Sequence, residues 1–468
     1  MTAAPEALTA APTPVAKRLS MGTITPFSAP WIPLAGALLV IAVYVPRFYV
    51  GLGVSFVAVA LAILVVRLID IWFDPVLGIL MDRTRTPIGR FRPWVIASAP
   101  VLMVGLWRLL VTHGHPSVVD LAVWMLVSYL GYSILNLGLS AWSTHVAQSY
   151  HERSRLWGWT QGLAVLGSIG LLAVLPLVTH RKIVLGHQSS MGTIGWILVI
   201  AVPIAIAICV LFIRDSGGAG QARARYGLSD WWSAIKRPTM RRLMLADLTL
   251  TLGPGTTAPL YVYFFHDAKG FAIIDVGFLL IFYIGAALVG APFWGRVAHR
   301  FGKHRTIQIA CVAYAVNQTI LMVLPRVHPG YTLLNALPTA IWMFLVGFCA
   351  SAFLLLVRAM VNDVADEVRL EQGHDLTSLL FSMVTTTSKI GVAITVSVVF
   401  PILQWAGYNG APGAVNTPHA IFALEMCYLF APIVLVFVGG AMFFGYKLDS
   451  ARHDAIRAAL EARGTTAG

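Results

Sequence analysis

Arg67, Asp70 and Asp74 fall on one stripe of a segment that is otherwise apolar from about residue 54 to residue 81, around "RLIDIWFD". In a helix, residues three and four apart share a face, so the cation and both carboxylates point the same way. A charge at mid-bilayer costs about 2.5–3.5 kcal/mol on insertion scales, and such residues are functional by default. Two neighbouring carboxylates repel unless they share a proton, a sodium ion or a basic partner. That is the local chemistry of a cation site. A second cation, Lys389, is stranded in another apolar run. Arg67 and Lys389 also suffice to neutralise Asp70 and Asp74 as a plain ion-pair cluster holding two helices together. The two readings are compatible, because an incoming ion can replace the internal cations.

The elements that carry these residues must be membrane helices. Of 468 residues, 58% are hydrophobic and 11% charged, with a mean hydropathy of +0.77; a soluble domain has roughly 25% charged residues. Each span needs about 20 apolar residues. Twelve such runs lie near 27–46, 54–81, 94–113, 117–143, 157–178, 192–213, 241–265, 272–294, 305–325, 333–359, 376–404 and 418–446. The expected fold is an all-α membrane protein of two six-helix bundles. The expected organisation is a cytoplasmic tail (1–24), an N-terminal bundle (25–213), a basic central loop (214–240), a C-terminal bundle (241–446) and an amphipathic tail (447–468). That tail has apolar positions at Ala455, Ile456, Ala459 and Leu460.

The net charge of +13 does not mark a nucleic-acid binder, because the basic residues sit in short connectors rather than in one patch. With the N-terminus inside, about 25 of the 33 Lys and Arg residues fall on the inner side, as the positive-inside rule requires. Arg47, Arg108, Arg181, Lys182, Lys269 and Arg326 fall outside, and both termini are cytoplasmic on this reading. The Ala/Pro-rich first 20 residues have no apolar core of a cleaved signal. Cys209, Cys311, Cys349 and Cys427 are scattered as buried thiols, with no metal spacing. With no phosphate-binding Gly-rich loop and no nucleophile–base pairing, neither an ATP-driven pump nor an enzyme is expected.

"GILMDRTRTPIGR" (Gly78–Arg90) follows the second run and "GRVAHRFGKHR" (Gly295–Arg305) follows the eighth. Both read Gly-x-x-x-[Asp/His]-Arg at the same point of their half, where a glycine permits close helix approach and the charges latch helices together. Twelve spans with this repeated loop resemble the major facilitator superfamily, which implies alternating access around a midplane site. Gly78, Asp82, Arg83, Arg90, Arg92, Arg300, Asp363 and Asp366 are the expected cytoplasmic gate.

"RLIDIWFDPVLGILMDRTRTPIGRFRPW" (Arg67–Trp94) resembles the hallmark of the glycoside–pentoside–hexuronide:cation symporters, the family of melibiose permease. "YSILNLGLSAW" (Tyr132–Trp142), Glu152-Arg153, "MVNDVADEVRLEQGHD" (Met360–Asp375) and "TTTSKIGVAI" (Thr385–Ile394) resemble its further motifs in order. The resemblance implies that Asp70, Asp74 and Ser133 bind the coupling cation and that Lys389, with Arg67, links cation to substrate. It implies substrate contacts from Asn136, with Tyr132, Ser140, Trp142, Gln161 and Thr387 beside it.

Three departures qualify it. Phe73 stands where sodium-binding members have Asn, which favours H⁺ over Na⁺ as the coupling ion. "TPFSAPWIPLAG" (Thr25–Gly36) lacks the Lys-Asp pair of the sugar-binding members. Thr160 or Gln161 replaces a sugar-holding Arg. Aromatic residues remain, placed either around the cavity or in lipid-facing belts near helix ends: Trp31, Trp157 and Trp159 in the first half, Tyr261 and Tyr263 in the second. Asp247 is read as pairing with Arg241 or Arg242, and His145 as an interface residue. The expected function is cation-coupled symport of a glycoside, pentoside or hexuronide by a monomer in a bacterial inner membrane, without a cofactor. The alternatives are a lysophospholipid or other amphiphile as substrate, and a non-transporting receptor on a transporter fold.

Overall fold

The computed structural model describes residues 19–111, 114–147, 150–180, 190–213, 228–328, 330–331, 333–372, 376–411, 413–446, 448 and 450–462. Every regular element among them is helical. In a bilayer core each backbone N–H and C=O must be satisfied within its own segment, and a helix does this without a partner strand.

In the first half, α1 (Met21–Ser28), α2 (Trp31–Val43) and α3 (Val45–Gly51) form one broken span. Then come α4 (Phe56–Arg83), α5 (Arg92–Leu110), α6 (Val118–Val146), α7 (Tyr150–His180) and α8 (Ser190–Phe212). A short helix, α9 (Leu228–Lys236), precedes the second half. This consists of α10 (Pro238–Tyr263), which runs into a π turn (Phe264–Ala268), then α11 (Ile273–Phe301), α12 (Lys303–Val323), α13 (Leu333–Gln372), α14 (Thr377–Trp405) and α15 (Pro418–Ala441). The tail helix α16 (Ser450–Ala462) packs on α13 and buries Ile456 and Leu460.

Among the described residues, eleven helices are long and apolar enough to cross a membrane. The twelfth, α10, is 26 residues long but falls outside that set. Asp247, five threonines and Pro254 and Pro259 dilute its hydropathy.

The contacts repeat between the halves. α2 packs on α7 as α10 packs on α14, α4 on α6 as α11 on α13, and α5 on α8 as α12 on α15. The halves meet where α4 lies against α14 and α7 against α11. Lipid tails supply little hydrophobic drive between helices, so small residues that admit close backbones matter most. Gly347 shows this on α13: a Cβ there would sit 2.1 Å from the Tyr283 carbonyl oxygen of α11.

Helix ends follow local chemistry. Ser117 and Asp120 cap each other at the start of α6, and the Ser55 hydroxyl accepts from Ala58 N at the start of α4. Gly302 takes φ +84° between α11 and α12, a conformation that suits glycine. The Leu19 N–H donates to Glu152 Oε2 at 2.9 Å and Arg155 donates to the Leu19 carbonyl, which ties the start of α1 to α7. This end of the bundle is called the terminal end below, and the opposite one the far end.

Candidate functional site

Asp70, the fifteenth residue of α4, is 2% exposed. Its Oδ1 accepts from the Ser133 hydroxyl of α6 at 3.3 Å. The Lys389 ammonium crosses from α14 and lies 3.3 Å from Asp70 Oδ2 and 2.8 Å from Asp74 Oδ2. Arg67 adds a longer contact, 3.9 Å from Asp70 Oδ2, with its guanidinium 3.9 Å above the Tyr129 ring. Two cations thus face two carboxylates from two helices, one in each half, with Ser133 and Tyr129 of α6 beside them. The i, i+3, i+7 stripe read from the sequence is what aims all three α4 charges inward.

The cluster is neutral but not saturated. Lys389 Nζ is near both carboxylates yet aligned in a hydrogen bond with neither, and Asp74 Oδ1 and Arg67 Nε are buried without a hydrogen-bond partner. Pro75, directly after Asp74, has no N–H to give to the Ile71 carbonyl. Spare oxygens close to a displaceable ammonium are what an exchangeable cation site requires. Phe73 turns away and packs with Leu77, Met81 and Ile134.

The other expected residues divide. Asn136 and Ser140 lie three and seven positions beyond Ser133, half-buried on its stripe. Tyr132 packs partly buried against the core, and Gln161 is exposed on α7. Trp142 does not stand at a cavity: it is 0% exposed, edge-on to Phe27 of α1 with ring centroids 6.0 Å apart, and its bulk fills the α1–α6 contact. Tyr261 and Tyr263 are buried too; Tyr261 donates to the Val276 carbonyl at 3.0 Å.

Thr387 is occupied within the protein. Its hydroxyl and that of Ser388 lie 3.0 and 2.6 Å from Asp247 Oδ2. Asp247 therefore does not pair with Arg241 or Arg242 as expected; it faces the interior of the second half, with α14 hydroxyls as its donors.

Among the described residues, the expected cytoplasmic gate shows no contact between the halves at Gly78, Arg83, Arg92, Arg300, Asp363 or Asp366. A Cβ at Gly78 or at Gly295 would meet nothing within 4 Å. Arg83 is exposed, and Arg300 is exposed beside the Phe301 ring. Arg90 donates to the Met81 carbonyl and Arg92 to the Val210 carbonyl, both within the first half. Asp363 binds Lys303 at 2.5 Å, and His453 of the tail helix reaches Asp366 at 3.0 Å, both within the second half. The side chains of Asp82 and His145 lie outside the described residues, as do the tail before residue 19 and most of the central loop.

Besides the Lys389 cluster, a second polar contact between the halves, among the described residues, lies at the far end. Arg47 of α3 binds Asp267 of the π turn through both terminal nitrogens, at 3.1 and 3.2 Å. Tyr408 donates to the same carboxylate. Burial, and then the adjacent Asp267 charge, push the Tyr408 phenol well above its ordinary range, so it remains a neutral donor. Below, Phe56 of α4 stacks on Phe400 of α14 at 4.0 Å. Sequence reading missed Asp267 and counted Arg47 as a loop cation; an Asp and an Arg at two span ends were the only signal.

Among the described residues, eleven apolar spans together with α10, packed in repeated half-on-half contacts, define a multi-pass membrane protein. The nucleoside transporter NupG has the same fold, with a TM-score of 0.67 and 13% identity over 90% of this chain and 98% of that one. The chain belongs to the MFS/sugar transport protein family, whose profile matches residues 26–450.

It is 26% identical over 427 residues to an isoprimeverose transporter of Lactiplantibacillus pentosus, covering 87% of this chain and 85% of that protein. It is 21% identical over 439 residues to the sodium-dependent lysophosphatidylcholine symporter 1 of Mus musculus, covering 84% and 79%. The chain is therefore a secondary active transporter of the major facilitator fold and not an enzyme.

Proposed function

We propose that this transporter is a cation-coupled symporter of the glycoside–pentoside–hexuronide type, with Asp70, Asp74 and Ser133 as the cation site and Lys389 as the link to substrate. One observation carries this reading: a lysine from the second half sits between two buried carboxylates of the first. A cation that displaces Lys389 changes the contact between halves, which is the step alternating access needs. The similarity to an isoprimeverose transporter supports a glycoside as the substrate class, held near the Ser133–Asn136–Ser140 stripe. H⁺ is the favoured ion, because Phe73 brings no oxygen and turns into an apolar cluster. Both termini and the terminal end face the cytoplasm on this reading, and the bundles comprise residues 25–213 and 241–446.

The test is uptake of a labelled xylosyl-glucoside into proteoliposomes under a pH gradient or a Na⁺ gradient. Gradient-driven accumulation is expected, lost in Asp70→Asn and Asp74→Asn while both variants stay folded. Unchanged accumulation by both variants overturns the proposal.

A second reading, an amphiphile as substrate, has an observation of its own. A groove of about 360 Å³ on α7 is lined by Gly158, Trp159, Gly162, Leu163 and Leu166, with Arg155 at one end. One cation beside an apolar trough suits a lysophospholipid, and the helix-one stretch lacks the charges of a sugar clamp. Competition of the glycoside uptake by lysophosphatidylcholine below its micellar concentration distinguishes the two.

A further inference from the structure

A buried acid that the cation site does not use is Asp247 of α10, 3% exposed. Its donors are consecutive with the coupling lysine: Thr387 and Ser388 at 3.0 and 2.6 Å, then Lys389. Successive residues of a helix point about 100° apart, and α14 packs on α10 within its half and on α4 across the interface. Ser388 and Thr387 therefore hold α14 to α10 while Lys389 reaches to Asp70 and Asp74 on α4. Each hydroxyl also lies near the Val384 carbonyl, at 3.2 and 2.7 Å, so the Asp247 carboxylate competes with the helix backbone for these donors. On α13, Arg358 faces the same region and donates to Thr385 of α14 at 3.0 Å.

We infer that Asp247 is a positioning residue for the cation site: through Ser388 and Thr387 it sets the rotation of α14, and so how closely the Lys389 ammonium competes with the coupling cation. This rests on the cation-coupling reading above. The groups facing Lys389 are Asp70, Asp74 and Arg67 of α4, with Ser133 of α6 behind them; the charge facing Asp247 is Arg358 of α13. The sign follows. An ammonium held 2.8 Å from Asp74 opposes both a metal ion and a proton. Releasing α14 weakens that opposition, so the cation site should bind more tightly.

The experiment titrates the purified full chain in detergent with NaCl against choline chloride at fixed pH, and separately with pH in choline chloride. Intrinsic tryptophan fluorescence and thermal melting give the midpoint. Asp247→Leu and the double variant Thr387→Val/Ser388→Ala should lower the midpoint concentration of the coupling ion about five- to tenfold, as 1–1.4 kcal/mol implies. Asp247→Asn keeps an acceptor for the hydroxyls and should move it less than about twofold, within the spread of non-coupled substitutions. In a Lys389→Gln background the double variant should add no further shift.

A role in packing alone would lower the melting temperature of these variants at every ion concentration and leave the midpoint where it was. That outcome, with Asp70→Asn still abolishing the wild-type response, overturns the inference and leaves the coupling reading standing. A wild-type protein blind to both ions overturns the coupling reading, and this inference with it.

Discussion

The two ends of the interface between the halves use similar residues and are in opposite states. At the far end, Arg47, Asp267 and Tyr408 lock together above the Phe56–Phe400 stack, and the halves touch. At the terminal end, Gly78 and Gly295 of the repeated Gly-x-x-x-[Asp/His]-Arg motifs stand against open space, and Arg92, Asp363 and Asp366 find partners within their own halves. Charge alone does not make a gate. A carboxylate latches two bundles only where the backbone brings a donor from the other side, and one conformation can satisfy one end at the other's expense.

The comparison breaks most sharply at Asp267. Asp267→Ala leaves Arg47 and Tyr408 without their shared acceptor, which should cost the far-end seal roughly 1–3 kcal/mol, a population shift of about 5–150-fold. Spin labels at His115 and Val415, exposed far-end positions in opposite halves, should report a longer distance in the variant. An unchanged distance distribution would mean that the aromatic stack holds the far end without the ion pair.

Two glycines give the next effect. Gly347→Ala forces a Cβ within 2.1 Å of the Tyr283 carbonyl, and overpacking of this kind costs about 1–3 kcal/mol; its melting temperature should fall. Gly78→Ala meets nothing in this conformation and should leave the melting temperature unaltered while slowing uptake, because the transport cycle must close that end. Equal uptake by Gly78→Ala and wild type would remove Gly78 from the gate.

The smallest effect is expected at Asp363. Asp363→Asn weakens its pairing with Lys303, which is partly exposed, so the loss is about 1 kcal/mol or less. Faster tryptic cleavage near residue 450, with little change in melting temperature, would show that the cluster serves mainly to dock α16.

Much of the site was legible because lipid makes charges conspicuous. Asp70, Asp74, Arg67 and Lys389 stand out by cost alone, and the helical period places three of them on one face before any coordinates exist. Trp142, Tyr261 and Tyr263 were misplaced for the converse reason. An aromatic ring in an apolar run looks the same whether it lines a cavity or fills a helix contact, and only the neighbouring helix decides. Asp247 was assigned to the nearest arginines in sequence, whereas its donors come from α14, 140 and 141 residues away.

The sequence by itself determined twelve spans, their division into two repeated halves and the presence of costly charges at mid-bilayer, because hydropathy and helical period act locally along the chain. Tertiary structure alone decided that Lys389 crosses to Asp70 and Asp74, that Ser388 and Thr387 turn back to Asp247, and that the far end rather than the terminal end is sealed. Those are contacts between helices. Between helices in lipid, shape and a few polar partners do the choosing, and neither is written in any one segment.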